Sequence, residues 1–293
     1  SVIPNGVLAS NLNGWWPLSE GSGTIAYDGS GNNNHGALTN GPNDVSSQPI
    51  IPQLAGKGLS RKMVFDGTND YVTVSGGSGN AILKDLASPF TYSAWIKCSA
   101  TSGYNGIMSN FAENYPSTED RGASIFLVSS SGHVRFMIDD DGFADVDGSI
   151  NLFDNEWHHV VVTYNGTTAA IYTDGSLETS ESQSYTAGGH SFVVGRVYAY
   201  LDTHYFNGII DECAIWGVAL DAAAVLAIYN SGVPIDLRNN LGNYDGYTNN
   251  LNGYWRNDGV GTWKDLSGQE NDGTVAGSPA QVSFPKGTTS KRD

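Results

Sequence analysis

An all-β protein, built as two packed antiparallel sheets with one short helix, is what this sequence predicts. Apolar and polar residues alternate over short runs rather than recurring at helical spacing. Between such runs lie Asn165-Gly166 and Asp174-Gly175, dipeptides that accept the positive φ of tight hairpin turns. Thirty-seven glycines and fifteen tyrosines in 293 residues fit many turns and short strands better than long helices.

Strands are expected at Lys62–Phe65, Asp70–Val74, Phe90–Cys98, Gly106–Asn110, Ala123–Val128, His133–Ile138, Trp157–Tyr164, Ala169–Thr173, Ser191–Val197 and Gly208–Trp216. In His133–Ile138, Val134, Phe136 and Ile138 alternate with more polar neighbours, as in a half-exposed strand. The helix is Ala222–Tyr229. Asp221 is placed to cap its first amides, and Gly232 and Pro234 stop it. Val225, Leu226 and Tyr229 are expected on its buried face. Asn11–Leu18 reads as an opening strand with Trp15 and Trp16 on opposite faces, followed by a polar loop from Glu20 to Gly36.

That opening recurs. NLNGWW at 11–16 returns as NLNGYW at 250–255, and DGSGNNNHG at 28–36 returns as DLSGQENDG at 265–273. The register changes by two residues between the two blocks. Residues 1–233 therefore read as the complete sandwich, and 234–293 as a small extension that copies only its beginning. About 60 residues cannot build a second sandwich core alone. The aromatics Tyr244, Tyr247, Tyr254, Trp255, Trp263 and Phe284 are expected to be buried against the first domain or another subunit.

Acidic residues outnumber basic ones by 30 to 14, for a formal net charge of −16. Without a basic cluster to offset it, this balance excludes phosphate-driven nucleic-acid binding. No apolar run is long enough for an ordinary membrane-spanning helix, so membrane insertion is not expected. The beginning SVIPNGVLAS lacks the basic start and apolar core of a secretory signal, which a processed chain would also lack. Cys98 and Cys213 both sit in strand-like runs, which leaves a disulfide and two buried thiols equally open.

Several separated motifs then point to a family. They are GWWPL at 14–18 with EGSGT at 20–24, FDGTNDYV at 65–72, FTYSAWIK at 90–97, EWHHVVVTY at 156–164, GIIDE at 208–212 and IYNSG at 228–232. With DGSGNNNHG they make the chain, from about Asn11 to Gly232, resemble the laminin-G-like, concanavalin-A-like jelly-roll superfamily. The resemblance implies a jelly-roll sandwich and no single activity, because the fold hosts lectin-like, adhesive and structural domains. The truncated repeat and the Pro234–Arg238 connector also resemble environmental phage virion proteins.

Members of the superfamily often carry calcium at a loop or sandwich edge. That implies Asp28, Asn34 and Asp211 as ligands here, with Glu20 and Asp66 as alternatives. The same Asp and Asn residues also suit turns that hydrogen-bond their own amides, without an ion. The acidic run Asp139–Asp147 lacks the rhythm of an EF-hand and reads as a solvated hairpin. His158 and His159 are adjacent on a strand and face apart, so they do not pair as metal ligands.

A hydrolase of this fold would show a compact Glu-x-Asp-x-x-Glu strand, which is absent, so no enzyme is expected. Among the loop aromatics Tyr104, Tyr115, Tyr198, Tyr200 and Tyr205, the stretch Tyr198–Tyr205 is the best recognition loop. Tyr198, Tyr200, Tyr205, Tyr254, Trp255 and Trp263 are the expected partner-binding residues. The reading at this point is a noncatalytic structural or assembly protein, virion or extracellular, with protein partners or as a homo-oligomer. The alternative is a calcium-supported carbohydrate-binding module.

Overall fold

The computed structural model describes residues 60–74, 83, 86–111, 121–140, 144–187, 191–199 and 202–284, together with 25–26, 32, 34 and 36–37. The chain divides into two compact units, Ser1–Ser60 with Pro285–Asp293, and Arg61–Phe284. In the first, Ile25–Ala26 pairs antiparallel with Gly36–Ala37. The Trp15/Trp16 strand expected before it lies outside the described residues.

The second unit is an all-β sandwich of two antiparallel sheets. The first sheet runs Ser176–Ser182, Thr168–Thr173, Asp154–Tyr164, Phe90–Ser99, Asn207–Trp216, Ser60–Asp66, Ala280–Phe284. The second runs Thr262–Trp263, Gly273–Ala276, Tyr71–Val74, Val193–Val194, Asn105–Ser109, Arg121–Leu127, Val134–Asp140, Ala144–Asp147. The Asn-Gly and Asp-Gly signals are real hairpins: Gly166 and Gly175 have φ of 104° and 77°, and each joins two neighbouring strands of the first sheet.

Side-chain alternation decides what each strand face buries. Along Asp154–Tyr164, Val160, Val162 and Tyr164 enter the core between the sheets, where Phe90, Tyr92, Ile125, Phe136 and Ile210 lie fully or almost fully buried. Val161 points the other way, into a second apolar cluster on the outer face of the first sheet with Tyr172, Trp216, Val225 and Ile228. The helix Ala222–Tyr229 covers that face. Asp221 accepts the Ala224 amide at 2.8 Å, and Asn230 closes the far end in the left-handed conformation, φ 47°.

The buried side of the helix is rotated from the sequence expectation. Ala224, Val225 and Ile228 are inside, whereas Leu226 is 57% exposed. Val225 and Ile228 stand three residues apart and share a face, while Leu226 follows Val225 by about 100° of turn.

The C-terminal segment belongs to both sheets of this unit. Leu251–Trp255 pairs with Asn207–Trp216 in the first sheet, placing Trp255 opposite Cys213. Gly273–Ala276 pairs with Tyr71–Val74 in the second, placing Gly273 opposite Val74. Tyr254 enters the outer cluster and Trp255 the core between the sheets, so the two aromatics do face apart. Cys98 and Cys213 are buried free thiols. Among the described residues no helix is long and apolar enough to cross a membrane.

The helix face gives a direct test. Ile228→Ala is expected to cost about 2–5 kcal/mol in denaturant unfolding, whereas Leu226→Ala should stay within roughly 0.5 kcal/mol of the parent. Equal losses at the two positions would show that the helix packs on a different face.

Candidate functional site

Of the residues expected to hold calcium, Asp66 and Asp211 lie in the described sandwich unit, and each is engaged by other groups. Asp211 is fully buried. Its Oδ2 receives the Lys62 ammonium at 2.5 Å, and its Oδ1 accepts the amides of Glu212 and Asn257 at 2.8 and 2.9 Å. A lysine thus stands where a cation would. Asp66 is exposed and its Oδ1 accepts the amides of Thr68 and Asn69 at 2.7 and 3.2 Å, an Asx turn. Asp66 pairs with Asn207, four residues before Asp211, which separates the two carboxylates by roughly 13 Å of strand. Asn34 is exposed in the other compact unit. Asp28 and Glu20 lie outside the described residues. No group of three metal-binding side chains occurs among the described residues.

The C-terminal copy shows how the Asp/Asn motif works. Asp265 Oδ1 accepts the amides of Tyr254 and Ser267, and its Oδ2 accepts that of Asn271. Asn271 Nδ2 donates to the Asn252 carbonyl at 2.9 Å. Here the motif is a turn nucleus built from backbone amides, the ion-free alternative for this sequence pattern.

Asp211 and Glu212 do not follow a regular strand. The register against Phe90–Ser99 shifts between Asp211 and Ala214, and Glu212 has a φ of 49°, so a bulge carries both acids inward. Glu212 is 4% exposed, accepts the Tyr254 hydroxyl and pairs with Arg256 at 3.2 Å. Burial and the Glu212 charge both push the Tyr254 hydroxyl far above its ordinary pKa. Tyr254, Trp255 and Trp263 are each fully buried, and the chain's own sandwich encloses them. Their burial needs no second molecule.

The histidines separate as alternation requires. His159 is buried beside Ser93 Oγ at 2.8 Å and stacked on Trp95 at 4.9 Å, and burial pulls its pKa down to about 3. His158 lies on the other face between Asp174, 3.0 Å from Nδ1, and Asp154, 3.1 Å from Nε2. Burial lowers the His158 pKa, but the two carboxylates outweigh it and hold it above the ordinary value. The acidic hairpin Val134–Asp140 with Ala144–Asp147 is tied by Arg135, which reaches Asp145 at 3.0 Å and Asp147 at 2.6 Å.

A partly open aromatic surface lies elsewhere. Arg196–Ala199 and Asp202–Tyr205 form a hairpin in which Arg196 is opposite Tyr205 and Val197 opposite His204. Val197 packs inward with Phe111, Phe126 and Met137 on the outer face of the second sheet. His204 meets Tyr104 edge-on at 4.9 Å. Gly106 permits this approach, since a Cβ there would lie 2.5 Å from the His204 carbonyl oxygen and the Val197 nitrogen. On the opposite face, Tyr205 lies 6.2 Å from Tyr71, and the Arg196 guanidinium sits 4.0 Å over the Tyr71 ring. All three side chains are half-buried.

Of these three side chains, Tyr205 is among the residues expected to bind a partner, and Tyr71 and Arg196 are not. Tyr71 was legible as the outward residue of the alternating strand Tyr71–Val74, but nothing in the sequence placed it beside the hairpin. The backbone of Tyr198 lies on the hairpin strand, and Tyr200 lies outside the described residues.

Two packed antiparallel sheets with one short helix and C-terminal strands define a jelly-roll-like sandwich. The chain belongs to the concanavalin A-like lectin/glucanases superfamily, whose laminin-G profile matches residues 66–226, more than half of its length. No curated protein sequence matches it. Among solved structures, a Bacteroides ovatus protein provisionally assigned as carbohydrate-binding has a TM-score of 0.55 at 20% identity. The match covers 79% of this chain and 62% of that one, so the chain spans under two thirds of that relative's length. The Ruminococcus gnavus IT-sialidase CBM40 has a TM-score of 0.49 at 15% identity, covering 58% of this chain and 96% of its own. For the heptameric SAP-like pentraxin of Limulus polyphemus the TM-score is 0.45 at 15% identity, covering 70% and 95%.

The Asp154–His158–Asp174 cluster predicts a pH dependence. With its folded pKa raised, His158 contributes stability that is complete below its ordinary 6.5 and lost as pH rises through the raised value. In Asp174, burial raises the pKa but the hydrogen bonds from His158 and the His159 amide outweigh it. Its lowered pKa gives stability that is complete above 3.8 and lost as pH falls through the lowered value. The joint contribution therefore fills the window from 3.8 to 6.5. Asp174→Asn is expected to lower the His158 midpoint in imidazole NMR titration and to remove roughly 1 kcal/mol or less within that window. An unmoved midpoint would exclude Asp174 as a proton-holding partner.

Proposed function

We propose that the chain is a noncatalytic carbohydrate-binding module whose contact surface is Tyr71, Arg196 and Tyr205. The observation that carries this reading is the half-buried pair of tyrosine rings beside a guanidinium that makes no hydrogen bond to a described residue. Aromatic faces stack on the apolar face of a sugar ring, and the guanidinium offers N–H donors to its hydroxyl or carboxylate oxygens. The hairpin that presents Arg196 and Tyr205 is seated on the rigid second sheet, which preorganises the surface. Membership of a lectin superfamily agrees with this reading, as does the provisional assignment of the Bacteroides ovatus protein.

The noncatalytic part rests on where the buried ionisable groups are engaged. Asp211 is taken by Lys62 and backbone amides, and Glu212 by Tyr254 and Arg256. Burial holds the Cys98 thiol at about 12, well away from a reactive thiolate. A structural or assembly role, virion or otherwise, was expected from the resemblance, the missing catalytic signature and the C-terminal aromatics that needed a covering surface, and the last of these was what favoured it over a freestanding module. Their enclosure within one chain removes that reason.

Glycan-array screening of the full chain, followed by titration of a retained glycan, tests the module. Tyr71→Ala and Tyr205→Ala are each expected to weaken binding about two- to tenfold, matching the roughly 0.5–1.5 kcal/mol of an aromatic stacking contact. A chelator is expected to leave binding unchanged, because Asp211 and Asp66 are already engaged. Loss of binding on chelation would instead support calcium held by residues such as Asp28 and Glu20. No retained glycan, affinity indifferent to both tyrosines, or glycosidic turnover would each defeat the proposal.

A further inference from the structure

Lys62 and Asp211 meet on neighbouring strands of the first sheet. Ser60–Asp66 pairs with Asn207–Trp216 at Asp66–Asn207 and Phe65–Gly208, and the same register carried onward sets Lys62 opposite Asp211. On the other side of Asp211 stands Trp95, which clusters with Ile209 and Val64, so the pair lies among apolar side chains. The Asp211 side chain is 0% exposed and that of Lys62 15%. Lys62 Nζ is 2.5 Å from Asp211 Oδ2.

Asn257 fixes the backbone beside both residues. Its Oδ1 accepts the Met63 amide at 2.7 Å, and its Nδ2 donates to the carbonyls of Met63 and Ile210 at 2.9 and 3.0 Å. The residue after the lysine and the residue before the aspartate are thereby held by one side chain. Asp211 Oδ1 accepts the main-chain amides of Glu212 and Asn257 at 2.8 and 2.9 Å. Two fixed N–H donors on one carboxyl oxygen are the arrangement that stabilises the oxyanion of acyl transfer.

We propose that Lys62 and Asp211 become joined by an isopeptide bond that the folded chain forms by itself. A nitrogen in contact with one carboxyl oxygen stands about 3–3.5 Å from the carboxyl carbon, the separation of a near-attack arrangement. Burial disfavours both charges, so a proton moves from Nζ to Oδ2 and leaves a neutral amine beside a carboxylic acid. The Nζ lone pair attacks Cγ, and the two amides hold the negative charge that gathers on Oδ1. The nitrogen then passes a second proton to the Oδ2 hydroxyl. The Cγ–Oδ2 bond breaks, one water leaves, and one hydrogen remains on the new amide nitrogen. Nothing is oxidised or reduced, and no co-reactant is consumed. The bond ties two strands that are 149 residues apart in sequence, at the bulge where Asp211 turns inward.

The intact mass of the full chain, folded first and then denatured for mass spectrometry, tests this. It is expected to fall short of the sequence mass by one water, and protease digestion to yield a branched peptide joining Lys62 to Asp211. Lys62→Arg keeps a cation for Asp211 but removes the amine nucleophile. That variant is expected to show its full sequence mass and to run more slowly than the parent in a denaturing gel, because the parent retains a closed loop. A parent mass equal to the sequence mass overturns the proposal. So does a missing water that persists in Lys62→Arg, or one that maps to a linear peptide such as that containing Asp66-Gly67, where it marks a succinimide. The parent mass and its branched peptide decide the matter even if the variant folds poorly.

Discussion

Strand Asn207–Trp216 crosses the middle of the first sheet, and one of its edges is covered by two different segments in turn. Ser60–Asp66 pairs with its beginning and Leu251–Trp255 with its end. An uncovered edge would leave a row of backbone groups without partners beside an apolar core. At the junction of the two segments the chain bulges, and Asp211 and Glu212 turn inward. Buried carboxylates are tolerated only when paired and hydrogen-bonded. Lys62 from one covering segment, and Asn257, Tyr254 and Arg256 from the other, supply those partners. The acids thereby tie three distant parts of the sequence to one point.

Packing on either side of the first sheet depends on that junction. Trp255 and Trp263 fill the core between the sheets, while Tyr254 and Leu251 join the helix side chains on the outer face. The C-terminal segment is therefore part of the sandwich it follows. The aromatic enrichment that looked like an interface in the sequence is explained by core burial, since large rigid side chains serve both purposes equally well.

The proposed contact surface depends on the second sheet instead. Gly106 lets the Arg196–Tyr205 hairpin lie against the sheet, and the hairpin brings Tyr205 beside Tyr71, far away in sequence. What remains partly open is a small patch of two rings and one guanidinium on an otherwise acidic chain.

Periodicity, turn dipeptides and capping residues determined the local elements. Alternation in Asp154–Tyr164, the Asn-Gly and Asp-Gly turns, and the Asp221 cap act within a few residues, so they could be read from the chain alone. The opposed faces of His158 and His159, and of Tyr254 and Trp255, follow from the same rule. The fate of Asp211, the partner of Tyr205, the exposed side of the helix and the place of the C-terminal copy were decided only by tertiary structure. Each depends on which segments a strand edge or sheet face meets across long sequence separations. A carboxylate in a turn has the same sequence whether an ion, an amide or a lysine finally reaches it.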